Sequence, residues 1–295
     1  MRNFKAVKKM ALYSVATVIG IASSGAFAHT GIRDVVKEGV SGYNAFTVTH
    51  GCNDNIDLGP SQDVIAMSAV FPNAADPALA TIYKLTSTGL QGETVADLSG
   101  DIEGVLPGVG FTKLGIGLVS GGGTLFANFL PTLDANSSIR GYHTWAGPSP
   151  YSSAPLAEQV KSATGLSPFR YGAVQFKTTS CAKNLKVRVA VANWCKRGNG
   201  TAAMGDRVDV WMGHTTALFN DQRTMPRATP YNPAVESPFW PTMTIARDLV
   251  ANPLDAACNG GYDLAIEPAD ADIDAFLPIP RATYPAGAPG AKFFP

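Results

Sequence analysis

Charge is scarce in this chain. Of its 295 residues only 16% are Asp, Glu, Lys or Arg, and basic and acidic residues balance at 23 each. No basic surplus exists to neutralise a phosphate backbone, so nucleic acid is excluded as a partner. Histidine and cysteine are sparse too, with four of each. No C-x-x-C, G-x-S-x-G or H-E-x-x-H occurs, which removes zinc-ribbon, hydrolase-elbow and zincin chemistry. Gly121-Gly122-Gly123 lacks the lysine of a phosphate loop and reads as a turn. Long helical periodicity is missing, and so is an apolar run of the ~20 residues that span a bilayer.

What is present begins with an export signal. Arg2, Lys5, Lys8 and Lys9 precede the short apolar stretch from Ala11 to Ala22, and Ala26-Phe27-Ala28 matches a small-x-small cleavage site. Residues 1–28 therefore read as a signal peptide. Its removal takes four of the 23 basic residues, leaving 19 against 23 acidic ones, a mildly acidic mature protein with no transmembrane segment. Periplasmic, cell-surface or secreted locations follow, outer-membrane association among them.

Strand signals dominate the rest. Ala45 to His50, Val64 to Phe71, Thr81 to Thr86, Gly172 to Thr178, Leu185 to Asn193, Arg207 to Met212, Thr242 to Asp248 and Tyr262 to Glu267 read as strands, the second of them stopping at Pro72. Asn199-Gly200 is a hairpin signal between two of them. Leu156 to Thr164 reads as one short helix ending at Gly165. With 30 glycines and 21 prolines spread along the chain, the expected fold is an all-β, immunoglobulin-like β-sandwich with long loops and few short helices. Residues 29–280 form its single domain, and 281–295 a Pro/Ala-rich tail.

Cys52, Cys181, Cys195 and Cys258 suggest two disulfides in an oxidising compartment. If the segment between Cys181 and Cys195 is one extended strand, its ends lie roughly 40 Å apart, at ~3.3 Å per residue. That is too far for a direct bridge. Each then pairs with Cys52 or Cys258, in an order the spacing leaves open.

The histidines carry the chemistry. His29 opens the mature chain, where its α-amine and ring can chelate one metal. His50 ends a strand beside Cys52. His143 and Trp145 are two apart, so on a strand they would share one face. His214 follows Gly213 in a turn and reads as solvent-exposed. Imidazole nitrogens without thiolate suit copper, as Cu(I) or Cu(II). His29, His50 and His143 are the candidate ligands, with Trp145 beside them as the candidate cofactor-binding residue. Asp270, Asp272 and Asp274 alternate and read as a solvated face, with a weak calcium site as the lesser reading.

HTGIRD at the mature start, FTVTHGC, VIAMSAVFP, CAKNLKVRVAVANWCKRG and DADIDAFLPIP resemble secreted proteins of methane-oxidising bacteria of the MopE and CorA type. The resemblance covers most of residues 29–280. It implies one copper ion, mainly Cu(I), held by two histidines beside a tryptophan oxidised to kynurenine, and copper scavenging at the cell surface. Carried over, the ligands are His50 and His143 and the modified residue Trp145. Here the tryptophan follows its histidine by two, where in the family it precedes it by two. FTVTHGC is also similar, more distantly, to YcnI-like periplasmic copper proteins, which implies an immunoglobulin-like fold with the mature N-terminal histidine as a ligand. The expected function is thus a copper-binding exported protein rather than an enzyme. A copper monooxygenase with a His29 brace and a metal-free surface protein are the alternatives.

Overall fold

A computed structural model describes residues 30–48, 64, 66–73, 79–85, 91–103, 117–118, 126, 128–145, 165–196, 207–219 and 239–279. Within them run the strands β1 (Gly31–Ile32), β2 (Val36–Lys37), β3 (Gly42–Val48), β4 (Ala66–Val70), β5 (Ala80–Leu85), β6 (Gln91–Val95), β7 (Ile102–Glu103), β8 (Gly117–Leu118) and β9 (Asn128–Leu133). They continue with β10 (Ile139–Trp145), β11 (Gly165–Tyr171), β12 (Gln175–Phe176), β13 (Ala182–Arg188), β14 (Ala190–Lys196), β15 (Arg207–Trp211), β16 (Thr242–Ala246) and β17 (Tyr262–Pro268). One α-helix, α1 (Asp270–Phe276), is present among the described residues. The fold is all-β and sandwich-like, as composition and strand spacing predict.

Three sheets build the body of the protein. A six-stranded sheet runs β2-β16-β13-β17-β5-β6, a five-stranded sheet β15-β14-β4-β10-β9, and a four-stranded sheet β1-β3-β11-β8. All three contribute side chains to the main core. There Phe46 packs on Phe71 at 5.9 Å and on Phe169 at 5.0 Å between ring centroids, with Tyr142 6.2 Å from both Phe46 and Phe71. Tilted aromatic packing of this kind adds to the gain from burying the rings.

The segment around Lys186 to Asn193 departs from the sequence reading. It is two strands in two sheets. β13 lies between β16 and β17, and β14 lies between β4 and β15. Val189 separates them, its N–H donating to the Pro241 carbonyl at 2.9 Å. Leu185, Val187, Val189 and Val191 alternate without a break and all enter the main core, so the pattern gives no sign of a sheet change. Cys181 does pair outward, to Cys258, with the Cα atoms 5.3 Å apart. Gly172 to Thr178 contains only the two-residue β12. The expected helix at 156–164, the Asn199-Gly200 turn, the signal peptide and the 281–295 tail lie outside the described residues, although β14 and β15 do pair antiparallel. Pro131 sits on β9, at the edge of its sheet, where a missing N–H is tolerated.

Both faces of the five-stranded sheet are buried. On one, Met67, Ala69, Tyr142, Val191 and Trp211 join the main core. On the other, Ala66, Val70, Ala192, Trp194 and Val210 form a second core with Met212, Phe219, Trp240, Ile273 and Leu277. Trp194 anchors that face, its indole N–H donating to Ser68 Oγ at 2.9 Å.

Candidate functional site

β10 (IRGYHTW) is rich in aromatic and β-branched residues and pairs on both sides, with β4 and β9. Alternation sends Tyr142 into the main core and turns Gly141, His143 and Trp145 to the second-core face. Gly141 has to be glycine, because a Cβ there would run into the Ala69 carbonyl. Helix α1 packs on β4 and β10 and covers His143, which is only 1% exposed.

His143 Nε2 lies 3.1 Å from the carbonyl oxygen of Phe276, the last residue of α1. Terminal helix carbonyls lack intrahelical partners, and here an imidazole N–H serves one. A carbonyl can only accept, so the neutral ring carries its proton on Nε2 and its lone pair on Nδ1. Burial pushes the His143 pKa from its ordinary 6.5 down to about 4, against the opposing pull of the Phe276 carbonyl. Trp145, two residues on, packs partly buried against the second core.

The other two sequence-predicted ligands, His29 and His50, lie outside the described residues. Thr30 is described. It is buried, and its Oγ1 accepts from Asn193 Nδ2 at 2.7 Å. Asn193 lies opposite Met67, whose side chain is in the main core, whereas His143 lies opposite Ser68, whose hydroxyl serves the second-core residue Trp194. Thr30 and His143 therefore stand on opposite faces of the five-stranded sheet.

His214 is not exposed. It is 6% accessible, with Nε2 2.8 Å from Asp270 Oδ1 and its ring edge-on to Trp240 at 5.5 Å. Gly213 admits that indole, since a Cβ at this position would overlap it. A local turn signal cannot show that a distant helix and tryptophan will close over the turn.

The alternating aspartates, read as a solvated face, form α1 instead, and each has a protein partner. Asp270 takes His214. Asp272 makes an ion pair with Arg140, both buried. Asp274 accepts from the Thr216 hydroxyl and, at 3.2 Å, from the Leu218 N–H. Successive helical residues differ by ~100°, so Asp270 and Asp274 share one side and Asp272 turns to the other. A signal for this was present. Acidic residues in a first turn followed by Ile273, Phe276 and Leu277 at helical spacing mark an amphipathic helix.

Among the described residues no three His, Cys, Asp or Glu side chains gather as a ready metal cluster. No protein-family model, curated protein or solved structure matches the chain.

Proposed function

We propose that this is an exported copper-binding protein that scavenges or stores Cu(I) outside the cytoplasm, with His143 supplying one nitrogen through Nδ1 and Trp145 lying beside the ion. The supporting observation is the bond from His143 Nε2 to the Phe276 carbonyl. Metal-ligating histidines commonly donate the second ring N–H to a carbonyl or carboxylate, which sets the tautomer and the ring direction. Burial keeps the ring neutral near pH 7, the form that binds metal. Low coordination by nitrogen alone suits Cu(I), and a formed disulfide fits an oxidising location. His50 is the first choice for the second ligand. A ligand from His29 has to reach around the sheet, because Thr30 is seated on the opposite face.

A metal-free structural surface protein is the second reading. It is favoured by the engagement of Asp270, Asp272, Asp274, His143 and His214 in docking α1. Chelator competition with Cu(I) under reducing conditions separates the two. One copper per wild-type chain, lost on His143→Asn with an unchanged β-sheet circular dichroism signal, supports copper binding. No copper on the wild type leaves the structural reading.

A further inference from the structure

The copper reading places a ligand where solvent does not reach. His143 is 1% exposed and lies under α1, so an ion cannot arrive while the helix is seated. α1 has only seven residues, and its N-cap, Ala269, makes no side-chain capping bond. A helix this short is unstable alone and stays folded through what it docks on. Its anchors differ in exposure. Ile273 and Leu277 are in the second core. The Asp272–Arg140 pair is buried, with side chains 5% and 0% exposed. The Asp270–His214 pair, at the N-terminal end, leaves the Asp270 side chain 56% exposed. Water can compete there first, so opening begins at that end.

We propose that α1 is a gate over His143, and that the Asp270–His214 pair is the latch that sets how often it opens. This rests on the copper-binding reading. The N-terminal turn lifts when the latch parts, the Asp272–Arg140 pair follows, and the ion enters beneath the helix while its C-terminal residue stays on His143. The latch takes no part in holding the ion.

Two substitutions move the latch in opposite directions. Asp270→Asn removes the charge from its hydrogen bond to His214, and Ala269→Ser supplies the missing N-cap. The measurements are amide hydrogen exchange of residues 270–277 in the copper-free protein and the stopped-flow rate of Cu(I) transfer from a chromophoric chelator. Asp270→Asn is expected to speed both by roughly tenfold, and Ala269→Ser to slow both by about fivefold, the factors such groups are worth. Copper per chain at equilibrium stays the same. Exchange that shifts while uptake does not, or exchange unmoved in both variants, overturns the gate. A wild type that takes up no copper at any time overturns the copper reading itself, a result separate from the other two.

Discussion

His143 on β10 donates its Nε2–H to the carbonyl of Phe276, 133 residues later, at 3.1 Å, joining a sheet face to the end of the only α-helix among the described residues. Burial of this ring makes the metal-free protein acid-sensitive. The folded-state pKa of about 4 lies below the ordinary 6.5, so between those values the unfolded chain binds a proton that the folded chain refuses. Stability from this group is complete above about pH 6.5 and is lost as pH falls toward 4. The loss is roughly 3 kcal/mol. Urea midpoints measured from about pH 7 to about pH 4 should fall more steeply for wild type than for His143→Gln. Parallel slopes would remove His143 as the cause.

Gly141 tests how tightly β10 is seated on β4. Gly141→Ala should cost about 3 kcal/mol or more, because the methyl meets backbone that cannot yield. Gly100→Ala, with nothing within 4 Å of the added carbon, should change the thermal midpoint by little. Equal effects would contradict the strand placement.

Carbonyl oxygens surround the buried guanidinium of Arg247. It donates to the carbonyls of Ser180 at 2.5 Å, Asn252 at 2.7 Å and Ala182 at 3.3 Å, and to Asn252 Oδ1 at 2.8 Å. Arg247→Met would strand several acceptors at ~1–3 kcal/mol each. A loss of at least ~3 kcal/mol in chemical denaturation is expected, and a loss below about 1 kcal/mol would show that water replaces the guanidinium freely.

The Cys181–Cys258 bridge closes a loop with a sequence separation of 77. Loop-entropy reasoning assigns about 4 kcal/mol to a bridge of that span, so the Cys181→Ser/Cys258→Ser double variant should unfold at markedly lower denaturant. With these two cysteines bonded to each other, an even count leaves Cys52 for Cys195. Non-reducing peptide mapping of the protein should recover that second pair, and free thiol at both positions would exclude it.

The sequence by itself determined the class of structure. Short β-branched runs punctuated by glycine and proline can form little but strands, and β4, β5, β15, β16 and β17 lie close to where the pattern places them. The spacing of His143 and Trp145 puts them on one face once that segment is a strand, since alternation is a local property of extended backbone. The strand itself, β10, is not among those the sequence pattern places. Only the tertiary structure decided which face. It also decided that the run after Cys181 changes sheets at Val189, that a helix seals His143, that His214 is buried against Asp270 and Trp240, and that Thr30 sits across the sheet from His143. Those outcomes depend on contacts between residues far apart in the chain. A residue's own neighbours show its preferred backbone shape, whereas burial and pairing are decided by the partner that arrives from elsewhere.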